Sequence, residues 1–113
     1  MIKIILALAL SIWSIGVQAE TVDVKYRGAV DLTPFRCTDT PRSSFVERVC
    51  YDRTNQYMIL RLKSTYYHYC EMPEPTFNAF MAASSMGQYF NANIKGTGKD
   101  GPFDCRTHKV PSY

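Results

Sequence analysis

Four cysteines, Cys37, Cys50, Cys70 and Cys105, constrain this 113-residue chain more than any other feature, because a bridge between two of them ties distant parts of the backbone together. Whether they form bridges depends on the compartment, and the N-terminus addresses that. Lys3 supplies a basic start, Ile4 to about Val17 an apolar run, and Val17 and Ala19 the small residues flanking Gln18 that a signal peptidase needs. The apolar run is shorter than the roughly 20 residues that span a bilayer, so a cleaved export signal over residues 1–19 is expected, cut between Ala19 and Glu20. The expected product is periplasmic or secreted, with no membrane span after cleavage.

In that setting an even cysteine count reads as two disulfides. A zinc site would need close pairs such as C-x-x-C, and these four are dispersed, so neither a metal nor a cofactor is expected. A domain this small buries little more than half of its unfolded surface, which makes bridges worth roughly 2–4 kcal/mol each a large share of its stability. Charge is less informative. Removal of Lys3 with the signal leaves twelve Lys and Arg against ten Asp and Glu, scattered among one another. Nucleic-acid binders usually concentrate basic charge, so this balance does not nominate a nucleic-acid partner.

Along the mature chain, Val22, Val24 and Tyr26 alternate with Asp23, Lys25 and Arg27, a half-buried strand ended by Gly28. Ala29 to Arg42, with Pro34 and Pro41, reads as an irregular connection. Strand patterns follow at Phe45–Tyr51, Tyr57–Lys63 and Tyr66–Cys70, joined by hairpin-length links, so an antiparallel meander is expected. Met58, Leu60 and Leu62 then share one face and Tyr57, Ile59 and Arg61 the other, with Tyr67 and Tyr69 opposite Tyr66, His68 and Cys70. Glu74 and Pro75 open a helix carrying Phe77, Phe80 and Met81. A second helix, capped by Ser84 or Ser85, places Met86, Phe90 and Ile94 on one stripe and stops at Gly96. The fold class is α+β: a three-stranded antiparallel meander, two short helices on one face, an added N-terminal strand, and a disulfide-pinned C-terminal tail.

The order of these residues resembles the KTSC domain, a short module found alone in bacterial proteins and at the C-terminus of some lysyl-tRNA synthetases. The resemblance rests on RSSFVERVCYD (Arg42 to Asp52), MILRLKSTYYHYCEMP (Met58 to Pro73) and SMGQYFNANIKG (Ser85 to Gly96). Family marks fall on Ser43 and Ser44, Tyr51 and Asp52, Tyr67 and Tyr69, and Gly87, Phe90, Asn91 and Ile94, over about sixty residues from Ser43 to Phe103. The resemblance implies three strands followed by two helices; taken with the expected signal, the chain divides into a signal (1–19), an N-terminal strand and loop (20–42), a KTSC-like domain (43–104) and a tail (105–113). It implies no established activity; occurrence beside a synthetase points to RNA binding. Cys50, where the family commonly has Gly, and Cys70 are departures. On a meander, Cys50 and Cys70 stand roughly 10 Å apart, too far for one bridge, so each reaches outside the sheet. Cys37 with Cys50 and Cys70 with Cys105 is the local pairing; the crossed one is the alternative.

No catalytic set emerges. His68 and His108 are the only histidines, the serines stand where hydroxyls cap strand and helix starts, and Glu71 and Glu74 sit where acids favour a helix dipole. The chain is therefore not expected to be an enzyme. Tyrosine clustering is the better lead, since the amphipathic phenol suits recognition. Tyr67 and Tyr69 are expected to fill the core, leaving Tyr57, Arg61, Tyr66 and His68 as binding residues on the face the helices leave bare. The reading is an exported module binding a protein or cell-envelope ligand, with RNA binding and a small hydrolase as the alternatives.

Overall fold

The computed structural model describes residues 20–96 and 101–113, so the expected signal lies outside the described residues. Its strands are β1 (Thr21–Val24), β2 (Gly28–Asp31), β3 (Arg36–Asp39), β4 (Val46–Asp52), β5 (Tyr57–Leu62) and β6 (Thr65–Tyr69), followed by α1 (Glu74–Ala82) and α2 (Met86–Tyr89), which runs into a π-helical turn (Phe90–Ile94). The class is α+β, as the periodicities require. The sheet, however, has six strands in the order β2-β1-β6-β5-β4-β3 rather than three.

The expected meander forms the centre of that sheet, and the segment expected to be irregular, 29–42, supplies β2 and β3. Val30 and Leu32 are buried there, but four-residue strands interrupted by Thr33-Pro34 are too short to show a period. All neighbours pair antiparallel except β1 and β6, which meet in parallel at Val24↔Tyr66.

The sheet is strongly curled, for a simple geometric reason. β2 and β3 lie at opposite edges, which in a flat six-stranded sheet would be roughly 24 Å apart. Only Leu32 to Phe35 connect them, and a bond from Phe35 N to Leu32 O at 2.9 Å tightens that link. So short a segment reaches at most about 17 Å. The sheet therefore bends until its edges approach, and Glu20 before β1 reaches Arg48 on β4 in a two-pronged ion pair at 2.6 and 2.7 Å.

Curling creates two cores. Outside the sheet, Val46, Val49, Tyr51, Met58 and Leu60 meet Phe80 from α1 and Met86, Phe90 and Ile94 from the second helical segment. An irregularity between Val46 and Arg48 lets Val46 and Val49, three apart, face the same helices. Inside the curl, Val24, Val30, Leu32, Cys50, Tyr57, Ile59 and Cys70 form the second core. The face expected to be bare is thus covered by the N-terminal strands.

Local chemistry sets the joints. Asp52 closes the β4–β5 loop, its carboxylate accepting from Thr54 N at 3.1 Å and Asn55 Nδ2 at 2.7 Å. Lys63 and Ser64, with φ of 47° and 65°, make the two-residue β5–β6 turn that suits strand twist. Ser85 Oγ accepts from Gln88 N at 3.2 Å, the capping role its hydroxyl implied.

The cysteines pair as Cys37–Cys50 and Cys70–Cys105. Cys37 lies within the sheet, directly across from Cys50 with Cα atoms 4.0 Å apart, so this bridge staples neighbouring strands rather than a loop to a sheet. The second fastens residues 101–113, which contain no helix or strand, to the end of β6.

Candidate binding cleft

β6 is flanked on one side by β1 for only a single parallel bridge. Because Leu62 and Thr65 bracket a two-residue turn, they form a hydrogen-bonded pair, so the backbone groups of Tyr66, His68 and Cys70 point away from β5. Tyr66 O accepts from Lys25 N at 2.9 Å, and Cys70 N donates to Phe103 O at 2.8 Å. Between these ties β1 and the C-terminal segment part, leaving a cleft of about 670 Å³ along the edge of β6 at His68.

One wall is the β1–β2 hairpin tip, Lys25, Tyr26 and Arg27; the floor includes Tyr67, His68 and Tyr69; the far wall brings Lys95, Asp104 and Arg106. Tyr26 is 87% exposed and stands at φ 70°, a left-handed conformation that a tyrosine seldom adopts. The turn from Val24 to Arg27 imposes it. Lys25 Nζ lies 5.3 Å from the Tyr26 ring centroid and 5.6 Å from that of Tyr67.

Behind the cleft, Arg27 sits over the rings of Tyr57 and Tyr113 at 5.0 and 5.3 Å and donates to Pro111 O at 2.7 Å. Its Nη1 is buried without a hydrogen-bond partner among the described residues. Tyr57 Oη and His68 Nδ1 share a bond of 2.8 Å. Burial, and then the Arg27 charge, push the His68 pKa down, so this ring is neutral at pH 7. Across the cleft, hydrogen bonds from Arg106 hold the Asp104 carboxyl down at about 2, so that acid is ionised and paired.

The structure separates the four expected binding residues. Tyr57 is fully buried and serves as support, not as surface. His68 reaches the cleft, whereas Arg61 and Tyr66 lie toward the other end of the curl, where Tyr66 Oη accepts from Arg48 at 3.2 Å and Arg61 at 3.4 Å. Tyr67 and Tyr69, expected in the core, are half-buried and line the cleft, although Tyr69 also packs edge-on against Phe90. The hairpin tip and the basic far wall were not legible beforehand, because Tyr26 also continues the alternation of β1.

The remaining family positions read as architecture. Tyr51 stacks on Phe77 with centroids 4.1 Å apart and donates to Met72 O at 2.7 Å. Ser43 Oγ accepts from Val46 N at 3.0 Å, while Ser44 and Asn91 are exposed. A Cβ on Gly87 would lie 3.4 Å from Phe45, so a small residue lets α2 sit close to the sheet. Phe90 and Ile94 are buried. His68, Cys70 and Cys105 bring potential ligand atoms within 4.8 Å of one another, but both sulfurs are joined in the disulfide, leaving one ring to offer. A second hollow of about 410 Å³ lies between β3 and α1.

Fold and cleft define a disulfide-braced α+β domain with a ligand-sized recess at the edge of its sheet. Its central part is a KTSC domain: the family model matches residues 42–97. The crystal structure of a KTSC domain protein from Yersinia pestis is similar, at 28% identity and a TM-score of 0.52, over 56% of this chain and 89% of that one. No curated protein matches. The cleft straddles the family boundary, with Tyr67, His68, Tyr69 and Lys95 inside it and Lys25, Tyr26, Arg27, Gly101, Asp104, Cys105, Arg106 and Val110 outside.

Proposed function

We propose that this chain is an exported binding module, working in the periplasm or outside the cell, whose ligand enters the cleft between the β1–β2 tip and the C-terminal segment. Tyr26 carries the reading: an aromatic ring 87% exposed, held in a left-handed conformation at the rim of a recess, is a costly arrangement for folding alone. The volume lies in the range of small-molecule sites. The C-terminal wall of the cleft is fastened by the Cys70–Cys105 disulfide, and the two bridges of the fold support a working place where thiols oxidise.

Two measurements test this reading. The product recovered from the periplasm or medium is expected to begin at Glu20 by mass. The oxidised protein is expected to bind isolated cell-envelope material saturably and to lose that binding in a Lys25→Ala/Tyr26→Gly variant. Glycine suits the backbone at position 26, so the variant keeps its fold. Unchanged affinity in that variant would rule out the cleft, and retention of residues 1–19 in the cytoplasm would rule out export.

A further inference from the structure

The whole chain is nearly balanced in charge, yet the cleft is not. Among the described residues, Lys25, Arg27 and Lys95 line it together with Arg106, against the single acid Asp104, which is occupied by Arg106. Beyond that pair, three cations among the described residues therefore line the recess. His68, between them, is neutral and adds a polar ring without further charge. Arg27 Nη1 is buried with no hydrogen-bond acceptor among the described residues. Beside these groups stand Tyr26, with its ring exposed, and Tyr67, both within 6 Å of the Lys25 ammonium. Flat aromatic faces next to hydrogen-bonding cations fit a ligand with an apolar ring face and an acidic substituent.

Resting on the cleft as the binding site, we propose that its ligand is an acidic saccharide, a sugar of one or two rings bearing carboxylate or phosphate. The sugar's C–H face lies on Tyr26, and its anionic group lies among Lys25, Arg27 and Lys95. Size argues for a compact ligand, since about 670 Å³ accommodates a mono- or disaccharide. Charge distribution argues the same way. An extended polyanion needs cations repeated along a track, whereas on the far side of the curl Arg48 and Arg61 are met by Glu20, Asp39 and Glu47.

Calorimetric titration of the full oxidised chain tests the proposal with four probes: digalacturonate, glucose 6-phosphate, neutral cellobiose and hexauridylate. Saturable binding is expected for at least one of the two acidic sugars, and the two arms separate carboxylate from phosphate recognition. That binding should weaken at least about fivefold in Lys25→Gln and fade with added salt. Tyr26→Gly should weaken it as strongly while unfolding no earlier than the wild type. Equal binding of cellobiose, with Lys25→Gln unchanged, overturns the acidic assignment and leaves the cleft as a neutral-sugar site. Tighter binding of hexauridylate overturns the saccharide. Binding of no sugar overturns the proposal, and the envelope-binding result then decides whether the cleft reading survives it.

Discussion

The two disulfides differ in what they enclose, and that difference predicts an order of stability. Cys37–Cys50 closes a sequence separation of 13 and Cys70–Cys105 one of 35. Chain entropy assigns them about 3 and about 4 kcal/mol. Cys50 and Cys70 are both fully buried, so trimming each pair to alanine leaves comparable voids and the loop term decides the order. The longer bridge does more in this fold, because it anchors the segment whose Pro111 and Tyr113 bond Arg27 and Asp52. Cys70→Ala/Cys105→Ala should therefore lose at least about 1 kcal/mol more than Cys37→Ala/Cys50→Ala. Together the bridges approach the roughly 5–14 kcal/mol expected for a domain of this size, so full reduction should bring the protein close to unfolding at 25 °C. Urea titration followed by far-UV circular dichroism measures this, since the only tryptophan, Trp13, lies in the expected signal. An equal or larger loss from the Cys37–Cys50 pair would refute the reasoning.

Burial raises the Asp52 pKa, but hydrogen bonds, led by that from Tyr113, outweigh it and leave the group depressed. Its contribution is present above the unfolded value near 3.8 and lost as pH falls through the lower folded value. Tyr113→Phe should cost about 0.5–1.5 kcal/mol at pH 7 by urea titration, and the variant should lose less further stability on acidification than the wild type. His68, with its pKa depressed by burial and by Arg27, should destabilise the fold as pH drops below about 6.5; His68→Gln should flatten the melting temperature between pH 7.5 and 5.5. Gly96 stands at φ 69°, and a Cβ there would come within 2.5 Å of Gly101 Cα. Gly96→Ala should cost about 2 kcal/mol or more, and an alanine variant of wild-type stability would show that this backbone approach does not occur.

The long periodic segments were legible. β4, β5 and β6 announce themselves by alternation, α1 and the second helical stretch by recurring Phe, Met and Ile, and the two-strand separation of Cys50 from Cys70 excludes a bridge between them, leaving the local pairing, which the structure has, and the crossed one. The six-stranded sheet was not legible, because β2 and β3 carry four residues each and their pairing partners lie at the far edges of the sheet. A short strand is defined by its neighbours more than by its own sequence. The same limit hid the cleft. Its walls come from residues near 25, 67, 95 and 104, brought together by the parallel contact of β1 with β6, the Cys70–Cys105 bridge and the bonds from Cys70 N to Phe103 O and from Arg27 to Pro111 O. Tyr57 was misplaced for a related reason: the face it shares with Ile59 and Arg61 is bare in a three-stranded sheet and interior in a curled one.

Residue-level mapping of ligand contact tests the central claim, that the added segments turn the edge of a KTSC sheet into a binding cleft. Amide shifts of the oxidised full chain, titrated with digalacturonate, are predicted to move at Lys25, Tyr26, Arg27, Tyr67, His68 and Lys95 and to saturate together. Shifts confined to the hollow between β3 and α1, at Arg36, Arg53 and Asn78, would contradict it.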